Sequence, residues 1–203
     1  MTTADHVSKA PLQAAKQRLK RLLRAGRVYR REDLVPFSKA VDRDLRELVD
    51  TGQLTKLAQG LYYAPRTSAF GALPPNESEL VGVFLRDKDF LMFSPSAYNS
   101  AGLGTTQLYN RTVVYNHKRH GVFKLGNRQF DFRMKQRFPK KMTPEFLFVD
   151  ALNNLNELAE DQGSVLARAR ERAGAFDKQR LKRAVENYGA MATKKRVMGW
   201  LDA

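Results

Sequence analysis

The most regular alternation of apolar and polar positions lies between Arg27 and Arg66. Val41, Leu45, Leu48 and Val49 stand at i, i+4, i+7 and i+8, so all four share one face of a helix that must be buried. Lys39, Arg43 and Arg46 project from the opposite side. Ser38 is placed to act as N-cap, and Gly52 sits where the helix would stop. Gln53 to Leu57 and Leu61 to Tyr63 then flank an Ala58-Gln59-Gly60 turn, which predicts a hairpin ended by Pro65. Its parity is imperfect, because Leu54 and Leu57 lie three apart.

Upstream, Leu12, Ala15, Leu19, Leu22 and Leu23 mark a helix from Pro11 to Ala25, with Gly26 as its stop. Met1 to Ala10 is polar and aperiodic and reads as a loose tail. Val28-Tyr29 predicts a short strand, and Arg31 to Val35 a short helix closed by Pro36. The order helix, strand, helix, helix, hairpin is that of a winged helix-turn-helix, although other small α+β domains share it. Thr67 to Pro75 carries Gly71, Pro74 and Pro75 and reads as a linker between domains of residues 1–70 and 76–203.

Beyond the linker, Asn76 caps a helix bearing Leu80, Val81, Phe84 and Leu85. Leu91 to Phe93 reads as a buried strand, and Ser94-Pro95-Ser96 as a helix start. Thr112 to Tyr115, Val122 to Leu125 and Gln129 to Phe132 are β-prone, with a hairpin turn at Gly126-Asn127. Thr143 to Asp161 reads as a helix whose polar positions, Glu145, Asp150, Glu157, Glu160 and Asp161, are acidic and either pair with the basic strands or face solvent; three helical runs follow. The expected class is α+β, its second domain combining a small antiparallel sheet with terminal helices.

Charge adds a partner to this picture. The 203-residue chain carries a net +15, which argues for a polyanion, nucleic acid before a membrane surface. The plain alternative is a well-solvated basic protein. Between Thr105 and Lys141 ten basic residues face one acid, Asp131. Solvated faces normally mix signs, so Arg111, Lys118, Arg119, Arg128, Lys140 and Lys141 are candidates for a nucleic-acid surface, with solubility charge as the alternative. In the first domain the candidate DNA contacts are Ser38, Lys39, Asp42, Arg43, Arg46, Lys56 and Gln59. Asp42 and Asp44 have basic neighbours and fit surface ion pairing as well.

Cysteine is absent, which excludes disulfides and thiolate metal sites and fits a reducing compartment. No apolar run approaches membrane-spanning length and no signal-peptide core is present, so a cytoplasmic location is expected. His117 and His120 stand at i, i+3 without a third ligand nearby, and no metal site is expected. There is no phosphate-cradling glycine loop with lysine, no zinc-protease helix and no nucleophile elbow. Neither a cofactor nor an enzymatic activity is therefore expected.

The runs REDL (31–34), SKAVDRDLRELVDTGQLTKLAQGLYY (38–63), SAYNSAGLG (96–104) and PEFLFVDAL (144–152) together resemble AbiEi-type antitoxins. The resemblance extends from about Arg18 to the C-terminus. These are the antitoxin halves of type IV toxin–antitoxin systems, including abortive-infection systems against phage. The resemblance implies an N-terminal domain that represses its own operon by binding double-stranded promoter DNA. It also implies a C-terminal domain that opposes a nucleotidyltransferase toxin without a stable complex. Contact with RNA is a further expectation. Two alternatives stand beside it: a stand-alone winged-helix regulator or RNA-binding protein with no toxin partner, and a nuclease or other nucleic-acid enzyme, which needs clustered carboxylates where the basic stretch has only Asp131.

Overall fold

The structure is a computed structural model that describes Gln17, residues 19–103 and residues 111–202. The expected tail over 1–10, the helical positions Pro11, Leu12 and Ala15, and Gly104 lie outside the described residues. The fold is mixed α+β with small sheets. The chain divides into two compact units, Met1–Lys88 with Lys124–Arg128, and Asp89–Phe123 with Gln129–Ala203.

In the first unit, residues 19–22 are helical (α1). They are followed by β1 (Val28–Arg30), α2 (Arg31–Leu34), a 3₁₀ turn (Val35–Phe37) and α3 (Val41–Asp50), then β2 (Thr55–Ala58) and β3 (Leu61–Tyr63). Pro36 lies inside the 3₁₀ turn rather than closing α2. The apolar face of α3 behaves as its spacing predicts. Val41, Leu45 and Leu48 are buried with Leu19, Leu34 and Leu54, and Val49 packs at the edge of that cluster. The sheet runs in the order β1-β3-β2, antiparallel throughout, with Tyr29 opposite Tyr62 and Lys56 on its other side. A register shift between Lys56 and Ala58 explains the broken parity. The extra residue, Leu57, is a bulge, so Leu54 and Leu57 are both buried although three apart.

The expected linker is structured. Arg66–Ser68 (β4) and Gly71–Leu73 (β5) pair as an antiparallel ribbon, and Gly71 takes φ 109°, a conformation few side chains tolerate. The Tyr63 hydroxyl donates to the Leu73 carbonyl at 2.9 Å. Helix α4 (Glu77–Leu85) also belongs to this unit, capped as expected by Asn76, which accepts from the Glu79 N–H. Glu79 in turn accepts from the Val28 N–H at 3.1 Å, and Arg30 donates to the carbonyls of Val83 and Phe84. The unit boundary therefore falls at Lys88, not between residues 70 and 76. Residues 124–128 complete the unit: Gly126 N–H donates to the Leu57 carbonyl at 2.7 Å, and Arg128 pairs with Glu77.

The second unit holds most of a four-stranded sheet in the order β6 (Phe90–Phe93), β7 (Thr112–Asn116), β9 (Arg128–Met134), β8 (Gly121–Leu125). β6 and β7 are antiparallel, but β7 and β9 run parallel, which departs from the fully antiparallel sheet expected. The buried Asn116 side chain accounts for it. Its oxygen accepts from the Lys118 and Arg119 N–H groups and its amide donates to the Arg119 carbonyl. The chain is thereby turned out of β7, and the β8–β9 hairpin returns β9 between β7 and β8.

Helices follow. Ser94 opens a 3₁₀ helix (Pro95–Ala101), and Thr143 caps α5 (Pro144–Asn153). α5 stops eight residues before Asp161, because Asn154 turns back to bond the Asp150 carbonyl and Asp161 instead caps the next helix. That helix is α6 (Gln162–Ala173), followed by α7 (Lys178–Tyr188) and α8 (Met191–Leu201). Phe146, Phe148, Val165, Leu181, Val185 and Val197 close the core against Phe93 and Tyr115 of the sheet.

Candidate nucleic-acid interface

The first candidate surface begins just ahead of α3. Ser38 is buried rather than exposed, and it is not the N-cap, a position taken by Ala40. Its hydroxyl accepts from the Ala40 N–H at 3.0 Å and donates to Asp44 at 2.5 Å. Ser38 thus ties the turn to the first turn of the helix, where an acidic residue also suits the helix dipole. It has no free oxygen–hydrogen left for a phosphate, so its expected contact role is replaced by an architectural one.

Asp42, Arg43 and Arg46 are exposed on one side of α3 and Lys56 and Gln59 around the β2–β3 turn, whereas Lys39, expected on the helix, is exposed in the turn ahead of it because the helix starts only at Val41. The surface is less basic than the spacing implies. On the helix itself, Arg43 and Arg46 stand among three exposed carboxylates, Asp42, Glu47 and Asp50. One of these is neutralised in place. Arg31 grips Asp42 with two hydrogen bonds of 2.6 Å, and that bonding holds the Asp42 carboxyl below the usual carboxylate range. Asp42 is therefore an ion-pair partner, one of its two expected roles, and Arg31 is the residue that the sequence did not single out. Arg31 sits where it does because its own N–H donates to the Gly60 carbonyl, joining α2 to the hairpin turn. Arg43, three-fifths exposed, lies 3.7 Å from the neighbouring Asp44.

The second candidate surface is divided. Lys118, Lys140 and Lys141 are exposed and Arg119 half-exposed. Arg119 lies 6.0 Å from the centre of the Phe123 ring. Two of the arginines do not face solvent alone. Arg128 pairs with Glu77, and Arg111 donates to Glu157 at 3.0 Å.

Arg111 belongs to a polar cluster that charge counting missed. Arg133 donates to Asp131 at 2.7 Å and to Glu157 at 2.6 Å. Against the cost of burial, those bonds raise the Arg133 guanidinium and hold Glu157 below its ordinary range. Deeper in, the buried Asp150 accepts from the hydroxyls of Tyr98 (2.7 Å) and Tyr115 (2.9 Å). Burial pushes both phenols and the Asp150 carboxyl upward. Lys135 lies over the Tyr115 ring at 5.0 Å. Asp131 lies on β9 within the basic run, while Asp150 and Glu157 sit on and just after α5, so part of the run is matched from elsewhere in the chain. The acidic positions of the helix expected over Thr143 to Asp161 carried the signal, and of the two roles open to them Glu157 takes pairing with the basic strands.

Among the described residues no three metal-ligating side chains cluster, and His117 instead meets Asp89 at 3.4 Å and stacks on Phe138. No helix among them is long and apolar enough to cross a membrane.

Comparisons add a fold likeness and a family. The crystal structure of the RV2827C protein from Mycobacterium tuberculosis is similar over 94% of this chain and 75% of that one, with a TM-score of 0.56 and 16% identity. No curated protein matches the chain. A family model described as a family of unknown function matches residues 7–165.

Proposed function

Since the chain belongs to that family, DUF6088, whose description assigns no function, we propose from its own geometry that it is a cytoplasmic DNA-binding antitoxin. It represses its own operon and opposes a nucleotidyltransferase toxin. The observation that carries the DNA-binding half is the order α1-β1-α2-α3-β2-β3 with the sheet order β1-β3-β2. That arrangement supports a winged helix-turn-helix, with α3 as recognition helix and the β2–β3 turn as wing. Arg43 and Arg46 are exposed on the presenting side of α3, while Lys56 and Gln59 flank the wing.

The mixed charge of α3 gives the arginines a specific task. Glu47 and Asp50 repel phosphate while Arg31 neutralises Asp42, so non-specific attraction is weak on this helix and base-edge contacts matter more. Arg43 reads guanine and Lys39, at the helix entry, meets a phosphate. The antitoxin half rests on the resemblance of the runs 31–34, 38–63, 96–104 and 144–152 to AbiEi-type antitoxins. The toxin is a functional rather than stably bound partner in this reading, and the protein performs no catalysis.

The test uses the full-length chain. It is expressed beside a reporter under its own upstream region and, separately, beside a nucleotidyltransferase toxin of the type IV class. Repression that is lost in an Arg43→Ala/Arg46→Ala variant while growth rescue persists is the expected result. Rescue without repression by the parent removes the DNA-binding half, and repression without rescue leaves a plain regulator.

A further inference from the structure

In the second unit a cleft of about 370 Å³ opens between the start of β6, the turn after β7, the segment following β9 and the end of α7. Its volume falls in the range of small-ligand sites. Two features set it apart from a solvated notch. First, it has aromatic walls. His117 and Phe138 stack with ring centres 4.7 Å apart and planes 24° from parallel, and Tyr188 lines the cleft while packing edge-on against Phe146. Second, Arg137 and Lys140 are exposed at its rim, with the amides Gln136 and Asn187 beside them. One carboxylate, Asp89, faces in, and it is 3.4 Å from His117 Nε2.

The walls are held in place. Asn153 donates to the Tyr188 carbonyl at 2.8 Å and accepts from the Ala190 N–H at 2.8 Å, which fixes the end of α7. Phe138 packs against the main core of the unit. The site is therefore largely formed before anything enters, and little ordering opposes binding.

Aromatic faces for a flat ring, cations one rim away and amides for polar edges form the set that recognises an unpaired base with its phosphate. We propose that this cleft binds a nucleoside phosphate, its base stacked on the His117–Phe138–Tyr188 wall and its phosphate held by Arg137 and Lys140. The phosphate is presented either by a free nucleotide or by a single strand. The site lies outside the residues that carry the operator reading, and its existence does not depend on that reading.

Calorimetric titration of the full-length protein tests it, with the four ribonucleoside 5′-monophosphates, the matching nucleosides, and eight-nucleotide single strands of RNA and DNA as probes. At least one monophosphate should bind, and its nucleoside should bind about tenfold more weakly. Arg137→Gln/Lys140→Gln should bring the nucleotide down to the level of the nucleoside, because both side chains are exposed and the fold does not need them. His117→Ala should weaken nucleotide and nucleoside alike. A strand that binds more tightly than any monophosphate and is displaced by it identifies the strand as the source; equal or weaker binding identifies the free nucleotide. Arg43→Ala/Arg46→Ala should leave the monophosphate and nucleoside titrations unchanged, whatever it does to operator and strand binding. Absence of binding by every probe, equal nucleotide affinity in parent and Arg137→Gln/Lys140→Gln variant, or loss of monophosphate binding in the α3 variant overturns the proposal.

Discussion

The exposed side of α3 and the polar cluster around Arg133 are built from the same residue types and put them to opposite use. On α3, Arg43 and Arg46 have water on most sides and carboxylates only beside them on the same helix. In the second unit, Arg111 and Arg133 are drawn onto Asp131 and Glu157, above a buried carboxylate held by two tyrosines. An arginine of the first kind retains donors for a ligand. One of the second kind spends its donors fixing α5 and the following turn against β7 and β9. A count of basic residues along the chain treats the two alike, and the difference comes from Asp131 on the same strand and Glu157 distant in sequence.

The largest expected effect breaks the buried side of the comparison. Arg133→Ala takes the guanidinium away from Asp131, 16% exposed, and from Glu157, 39% exposed, and unfolding in urea should show a loss of about 2–3 kcal/mol once solvent around Glu157 is allowed for. A loss below about 1 kcal/mol would mean that the cluster is solvated and interchangeable with surface pairing.

Arg43→Ala addresses the exposed side. Operator affinity should fall by about 1–3 kcal/mol with relaxed preference at one base, while urea stability stays within about 0.5 kcal/mol of the parent. A stability loss with unchanged affinity would move Arg43 into the structural class.

Glu157 gives a smaller effect with a definite pH sign. Its folded-state pKa is lowered by Arg133 and Arg111, so its contribution is present above the unfolded value of about 4.3 and fades as pH falls through the folded value. Its side chain is 39% exposed, and solvent screening limits the effect of Glu157→Gln at pH 7 to about 1 kcal/mol. Parent and variant should converge in acid. Asp150 has the opposite sign, because burial raises its pKa: its protonation stabilises the fold as pH falls. Asp150→Asn should therefore take away a gain in acid and not a loss, and urea titrations across pH separate the two.

The smallest effect is on salt dependence. Replacing Lys118, Arg119, Lys140 and Lys141 by Gln should lower the log–log slope of non-specific DNA binding by roughly one for each phosphate no longer neutralised. An unchanged slope would assign these side chains to solubility.

Local rules carried much of the fold. The caps at Asn76 and Thr143, the buried face of α3 and the hairpin at Gly126-Asn127 follow from residues within a few positions of one another. The failures are non-local. Gly71, Pro74 and Pro75 suit a joint as well as a tight ribbon, and only the packing of α4 on β1 decides between them. The apolar spacing Leu152, Leu155, Leu158 runs on past the helix end, so Asn154 and Asp161 were needed to mark it. The parallel β7–β9 pair depends on where a hairpin folds back, which alternation does not encode. At the candidate interface, exposure of Lys39, Arg43, Arg46, Lys56 and Gln59 was legible from helical and turn geometry. The burial of Ser38 and the pairing of Asp42 with Arg31 were not, since both depend on how the turn before α3 meets the helix and how α2 meets the hairpin.

The central claim is that α3 reads DNA through its exposed arginines. Footprinting of the full-length protein on its own upstream region, parent beside Arg43→Ala/Arg46→Ala at one salt concentration, tests it most directly. The account predicts discrete protected sites for the parent and their disappearance in the variant at protein concentrations where both remain folded. The same protected sites in both proteins, at the same concentrations, would contradict it.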